Sequence, residues 1–287
     1  MLMPSSPSSI ARPGTLVLLA PVAAAVPETF NVVDVAPAQH ANLLTRLQRM
    51  RGQVYLRDGA IAANQLTADG CHVQRADSTS WHVLSVQPDG AVAACARLRV
   101  HAPDAALDAL GIWSSALAQS ASWARRVRRA IEGDLSLAQR RDVSYVEFGG
   151  WAVDAEYRGT TQALTTAMST YALGECFGGF LGVTTATLRH CSSRMLRKLG
   201  GHSFTDDGEQ LPSYFDPQFE CEMELLRFDS HLPSRRYGPR VAEVARALWN
   251  VPVVCATAGA QATGSGYQQA AAYRHVPCLA TEGFAAA

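Results

Sequence analysis

The sequence predicts an α/β fold, a mixed β-sheet flanked by helices, in a single domain with an extension at each end. Three observations predict it. A strand–turn–strand pattern, a helical stretch and then strand, helix, strand, helix, strand follow one another, an order that builds a mixed sheet with helices packed on it. Of the 287 residues 48% are hydrophobic and 17% charged, which supplies a sizeable core and argues against disorder. The length suits one large domain.

The elements follow in order. Residues 1–28 are rich in Pro, Ser and Ala and read as a flexible N-terminal extension. Within them Leu16–Val26, preceded by Arg12, also has the outline of an export signal, interrupted by Pro21. TFNVVDV (29–35) is β-branched and strand-like. Residues 37–50 carry Leu43, Leu44 and Leu47 at helical spacing. WHVLSV (81–86) and AVAACARLRV (91–100) flank Gln87-Pro88-Asp89-Gly90, so they predict a hairpin. Residues 104–133 read as a helix with Leu107, Leu110 and Trp113 on one face, ending at Gly133. SYVEFGGWAV (144–153) is a strand with a Gly pair inside it, the mark of a bulge or a close backbone approach. A helix over 160–176, a strand over 180–187, a short helix over 192–199 stopped by Gly200-Gly201 and a strand over 221–228 complete the domain at 29–250. Residues 251–287 alternate Ala, Gly, Thr and Gln and read as a low-complexity tail.

Composition excludes several classes. Twenty-five basic and 25 acidic residues cancel, which removes the electrostatic argument for nucleic-acid binding. No run of about 18 apolar residues is present, so no integral membrane segment is expected. The seven cysteines include no CxxC spacing and the eight histidines no HxxxH or HExxH spacing, so neither a disulfide framework nor a metal site is expected, and the expected location is cytoplasmic.

The join at 151–163 crowds small residues at the start of a helix. Such a terminus offers unpaired N–H groups and the positive dipole end, where a phosphate can sit, with Arg158 adding a charge-assisted contact. It serves equally as a plain strand–loop–helix connection. Arg158-Gly159-Thr160-Thr161-Gln162-Ala163 resembles the R-x-x-G-x-G/A acyl-donor motif of the GNAT superfamily of N-acyltransferases, with Thr161 where that pattern has Gly. Glu147-Phe148-Gly149-Gly150-Trp151-Ala152-Val153-Asp154 resembles the E-x-S-R-F-A-V-D strand of the autoinducer (acyl-homoserine-lactone) synthases within it, with Gly150 in place of Arg. Arg51, Asp69, Asp77 and Arg97-Leu98 look like that branch's upstream residues and Ser193–Gly200 like its last helix, so the resemblance spans about 40–205. Asp69-Gly70, Asp77, His82, Tyr157-Arg158-Gly159 and the Ser213–Pro217 stretch are similar to the related N-acyl amino acid synthases.

The resemblance implies a sheet splayed at the bulged strand and transfer of a long-chain acyl group from acyl carrier protein or acyl-CoA, as co-substrate, to the amine of an amino acid or similar small molecule. No permanently bound cofactor is expected. It makes Glu147 the general base and the backbone at Gly150 and Trp151 the oxyanion partner. Val153, Arg158, Gly159, Thr160, Thr161 and Ala163 would hold the donor, and Arg51, Asp69, Asp77 and Arg97 the acceptor; the two aspartates serve equally as loop-ordering residues and the two arginines as structural salt-bridge partners. No tyrosine lies between Tyr171 and Tyr214, so no tyrosine acid is expected in the last helix. Arg125–Arg129 and the group His190, Arg194, Arg197 and Lys198 are each either a solvated face or a docking surface for an acidic carrier protein. His82 reads as a packed strand histidine. The alternatives are a homoserine-lactone synthase using S-adenosylmethionine, an acetyl-CoA-dependent N-acetyltransferase, and a non-catalytic acyl-binding module.

Overall fold

The computed structural model describes residues 14–102 and 104–257. In chain order its elements are β1 (Thr15–Leu19), β2 (Val33–Val35), α1 (Pro37–Arg57), β3 (Trp81–Val86), β4 (Val92–His101), α2 (Ala124–Arg141), β5 (Ser144–Val153), α3 (Gln162–Cys176), β6 (Phe180–Thr187), α4 (Ser192–Lys198), β7 (His202–Ser203), β8 (Thr205–Asp206), β9 (Glu209–Gln210), β10 (Tyr214–Asp216), β11 (Cys221–Asp229), α5 (Gly238–Leu248) and β12 (Val253–Cys255). One sheet runs β10-β11-β6-β5-β4-β3-β1-β12-β2, with β7 added to β11; β8 and β9 pair separately. The β5–β6, β1–β12 and β12–β2 pairs are parallel and the others antiparallel, so the sheet is mixed.

Side-chain alternation sends the two faces to different helices. Val146 and Leu98 point to the face covered by α3 and α5, where Tyr171, Leu173, Val241 and Leu248 are buried with them. Tyr145 and Val183 point to the other face, under Val127, Ile131 and Leu135 of α2. Farther along that face Leu84, Cys95 and Ala152 lie under Leu43, Leu47 and Met50 of α1. Between the α1 and α2 clusters the sheet carries Arg97, Arg99, Glu147 and Gly149, and this polar strip is where the candidate site lies.

The β3–β4 hairpin has its turn where the sequence predicts, with Gln87 N–H donating to Ala91 O at 2.8 Å and Gly90 at φ 83°. Pro37 starts α1 at its first turn, where a missing N–H costs nothing.

Three expectations are corrected. The extension over 1–28 gives up Thr15–Leu19, which pairs with β3 and β12 and buries Leu18 and Leu19 completely; five consecutive apolar or β-branched residues outweigh the Pro- and Ala-rich surroundings. The tail over 251–287 gives up Val253–Cys255, a buried strand inserted between β1 and β2. Its remainder, 258–287, and residues 1–13 lie outside the described residues. The helix over 104–133 is instead two 3-10 segments, Leu107–Ala109 and Gly111–Ser114, followed by α2, which continues through Gly133 to Arg141. Leu107, Leu110 and Trp113 recur every three residues, the 3-10 period, which also places them on one side. Gly133 sits in α2 with open space around it and ends nothing.

Among the described residues, no helix is long and apolar enough to cross a membrane.

Candidate active site

β5 and β6 pair only from Ser144↔Phe180 to Glu147↔Val183. Past that point each keeps its outer neighbour: β5 stays on β4 to Val153↔Ala94, and β6 stays on β11 to Thr187↔Met223. A wedge therefore opens between them. Its cause is local. Gly150 and Trp151 together oppose Ala96, between the pairs Cys95↔Ala152 and Arg97↔Gly149, which is a bulge that bends the strand. Gly150 takes φ 59°, and a Cβ there would meet Arg51 Nη1 at 3.3 Å and Arg97 Cβ at 3.4 Å, so both conformation and space select glycine.

Side chains pin the wedge. Thr184 Oγ1 donates to Phe148 O at 2.9 Å at the apex. Cys95 Sγ donates to Gly150 O at 3.3 Å and Tyr55 Oη to Trp151 O at 3.4 Å. On the side of β5 that faces β6 the Phe148 carbonyl is thus engaged, and among the described residues no strand pairs with β5 there beyond Glu147. The indole Nε1 of Trp151 is buried and finds no partner among the described residues.

The mouth of the wedge is the loop into α3. Asp154 caps it by accepting from Glu156 N–H at 3.0 Å, Gly159 takes φ 77°, and Thr160 Oγ1 donates to Tyr157 O at 2.6 Å while accepting from Gln162 N–H at 3.3 Å. Arg158, Gly159, Thr160 and Thr161 are exposed, Val153 and Ala163 half-buried. The first N–H groups of α3 have no intrahelical carbonyl, and that of the buried Gln162 goes to Thr160 Oγ1 instead. Arg158 is already engaged: its Nη2 lies 2.6 and 2.9 Å from the carboxylate of Asp58, at the end of α1. A phosphate at this loop would have to share Arg158 with Asp58.

On the α1 side the structure brings together Arg51, Asp77 and Arg97. Arg51 is completely buried; its Nη1 and Nη2 reach Asp77 Oδ1 and Oδ2 at 3.0 and 2.7 Å, and Nη2 also donates to His72 O at 2.5 Å. Arg97 Nη1 donates to Gln74 Oε1 at 2.7 Å and to Asp77 Oδ1 at 3.2 Å. Gln48 Nε2 and Gln74 N–H donate to Asp77 Oδ2 as well. Burial pushes the Asp77 carboxyl up, but the Arg51 hydrogen bonds and charge outweigh it and hold the group well below the usual carboxylate range. His82 Nε2 contacts Asp77 O at 2.8 Å, and burial lowers the ring to about 4, so it is a neutral packed histidine, as its strand position predicts.

Asp69 is not part of this group. It is exposed, accepts from Thr67 and Cys71 and pairs with Arg49, so it orders a surface loop. These contacts are those of the loop-ordering reading, which an aspartate beside Gly70 favours.

Glu147 lies on the polar strip, on the same face as Arg97 and Arg99. Its Oε2 accepts from His101 Nε2 at 2.7 Å and Gly111 N–H at 3.0 Å, and its Oε1 from Ile112 N–H at 2.8 Å. Arg99 Nη1 stands 3.7 Å from Oε2. Burial acts to raise its pKa, yet the His101 hydrogen bond and charge and the two amides win and lower it. A carboxylate has about four acceptor positions, so one on Oε1 is left for a ligand. Sequence reasoning missed His101, although alternation from Arg97 through Arg99 to His101 on β4 puts it on that face. It also missed Gly111 and Ile112, whose segment reads as a helix interior and not as a backbone donor pair.

The basic clusters are largely spoken for. Arg126 pairs with Asp206 and Glu209, Arg129 with Asp206 and Asp207, and Arg128 with Glu132. Arg197 pairs with Glu224, while His190, Arg194 and Lys198 are exposed. Among the described residues no His, Cys, Asp and Glu cluster fits a metal ion.

No protein-family model matches the chain, and no curated protein matches it. Solved structures do. The chain is similar to the structure of a CoA-dependent acyl-homoserine lactone synthase, BjaI, with SAM and isopentyl-CoA: the TM-score is 0.51 at 10% identity, over 84% of this chain and 92% of that one. A second CoA-dependent acyl-homoserine lactone synthase, MesI, gives a TM-score of 0.47 at 14% identity, over 82% and 94%. FeeM, an N-acyl amino acid synthase from uncultured soil microbes, gives 0.40 at 11% identity, over 68% and 87%.

Proposed function

We propose that this chain, which has the GNAT-type fold in its autoinducer-synthase-like form, is an acyltransferase. It moves an acyl group from a thioester, of CoA or acyl carrier protein, to the amine of an amino acid or similar small molecule. The observation that carries this reading is the wedge: β5 and β6 part at Glu147↔Val183, beside a left-handed Gly150, and the wedge opens toward the loop that leads into α3. A pantetheine arm is an extended chain with amide groups, and an unpaired strand edge of β5 offers it a ladder. The phosphates then fall at Arg158–Ala163.

The reaction needs no covalent enzyme intermediate. The lone pair of the neutral amine attacks the thioester carbonyl carbon and the C–N bond forms. Charge develops on the carbonyl oxygen, which the backbone at Gly150 and Trp151 would stabilise. The C–S bond then breaks, Glu147 takes the surplus proton from nitrogen through its open Oε1 position, and the thiolate leaves to be protonated as the free thiol. Arg97 and Arg99, 16% and 28% exposed in their side chains, face the same strip and would receive a carboxylate on the acceptor. CoA is the first donor to try, because BjaI is CoA-dependent and its structure holds isopentyl-CoA.

The test is purified protein with acyl-CoAs and a panel of amino acids and simple amines, followed by thiol release and product mass. Amine-dependent release with an N-acyl product, reduced in Glu147→Gln, supports the reading. Hydrolysis without an amine product, or turnover unchanged in Glu147→Gln, contradicts the roles given. Formation of a lactone from S-adenosylmethionine would move the chain to the homoserine-lactone alternative. Tight acyl-CoA binding with no turnover would make it an acyl-binding module.

A further inference from the structure

Four aromatic side chains meet at the inner end of the wedge. Phe148 stacks on Tyr171 with ring centroids 6.4 Å apart and planes 8° apart, and meets Phe180 and Phe228 edge-on at 5.3 and 5.2 Å. Tyr171 also meets Phe180 and Phe228 edge-on at 4.9 and 6.0 Å. Tyr171, Phe180 and Phe228 are buried, and Phe148 is the half-buried member. Its ring lies over β6: a Cβ added to Gly182 would come within 2.9 Å of Phe148 Cε2. Phe148 is also the first residue of β5 past the last β5–β6 pair.

These positions limit what an acyl tail can do. The thiol end of the donor must leave through the mouth, so the tail beyond the carbonyl points toward the apex. On the α1–α2 face the apex is the Glu147 carboxylate beside Arg99 and His101, where methylenes gain nothing from burial. On the α3 face it is apolar and closed by the Phe148 ring. From the bulge at Gly150 to Phe148 is two residues of strand, about 7 Å. Such a space takes a few carbons.

Resting on the acyltransferase reading, we infer that the wedge admits a short acyl thioester, with Phe148 as the side chain that sets the limit, in place of the long chain the sequence resemblance implies. The ring acts as a wall because it packs against Tyr171, Phe180 and Phe228 at once.

The experiment offers acetyl, butyryl, isovaleryl, octanoyl and palmitoyl groups, on CoA and on an acyl carrier protein, to wild type, Phe148→Leu and Phe148→Ala. Turnover with a fixed amine is measured, and the affinity of unreactive S-alkyl-CoA thioethers of the same lengths is measured by calorimetry. Phe148→Leu is the milder change should Phe148→Ala lose too much core to fold. The expected result is a wild-type optimum at butyryl or isovaleryl, and an octanoyl-to-butyryl ratio that rises about tenfold or more in the variants, in turnover and in affinity alike. A wild-type optimum at octanoyl or palmitoyl, or a chain-length profile that stays the same in the variants, overturns the inference and leaves the acyltransferase reading standing. Neither binding nor turnover of any donor by the wild type overturns both.

Discussion

Arg51 is the largest fully buried side chain in the described chain, and it is charged. Burial of a charge is tolerated where it is paired and hydrogen-bonded, and Arg51 meets Asp77 with both terminal nitrogens. Arg51→Met leaves Asp77 buried without its main partner and should cost about 3–5 kcal/mol of stability in urea unfolding. The double variant Arg51→Met with Asp77→Leu should cost less than the two single variants together, because the stranded charge is gone. His82 gives a pH signature. Its folded pKa of about 4 lies below the ordinary 6.5, so the unfolded chain binds the extra proton first. The corresponding stability, about 3 kcal/mol, is complete above pH 6.5 and is lost as pH falls toward 4. Asp77, also lowered, adds a further loss below pH 3.8. Urea midpoints from pH 7.5 to 4.5 should fall in the wild type and fall less in His82→Asn. Glu147 gives the opposite kind of signature in activity. Its pKa lies below 4.5, so its acid limb lies there too, and the rate between pH 5.5 and 8 should follow the ionisation of the acceptor amine. An acid limb near pH 6 would show that the carboxylate is not held as the structure has it.

At the scale of elements, the bulge in β5 is the feature on which the wedge depends. Gly150→Val demands a left-handed β-branched residue, about 1–2 kcal/mol of strain, and pushes a side chain against Arg51 and Arg97. Thiol release should fall at least tenfold while far-ultraviolet circular dichroism stays that of a folded mixed α/β chain. A variant with full turnover would mean that the wedge does not depend on that turn. The bounds of β3, β5 and β6 are legible in the sequence because each is a β-rich run closed by turn residues, and Gly149-Gly150 announces the bulge. The 104–123 stretch is not, because a three-residue recurrence of Leu107, Leu110 and Trp113 fits a 3-10 turn and an α-helix alike over so few residues. That Arg51, Asp77 and Arg97 belong together was legible from their resemblance to a known family, and so was the interest of Glu147. Of the two readings open for Asp69 the structure shows the loop-ordering contacts, and the contacts of Glu147 with His101, Gly111 and Ile112 were not legible. They depend on a backbone segment folding over β4 and β5, and nothing in one side chain's identity reports a backbone amide's position.

The whole molecule ties its two ends into one sheet edge. β1 sits between β3 and β12, and β2 pairs with β12, so the short strand after α5 holds an early strand in place. Val253, Val254 and Cys255 are nearly or fully buried there. A chain ending at Asn250 loses that burial and the pairing of both neighbours, and its urea midpoint should fall by the equivalent of several kcal/mol. This edge is remote from the wedge, so a chain that still folds should retain donor binding. In the proposed acyltransferase a thioester arm lies along β5 between the bulge and Val153, with its phosphates at the start of α3. Hydrogen exchange read by mass spectrometry, on the full chain with and without a saturating unreactive S-alkyl-CoA, tests this placement. New protection should be confined to peptides covering 148–153 and 158–165, with the β1–β12–β2 edge unchanged. Protection absent from 148–153, or present only outside the wedge, would contradict it.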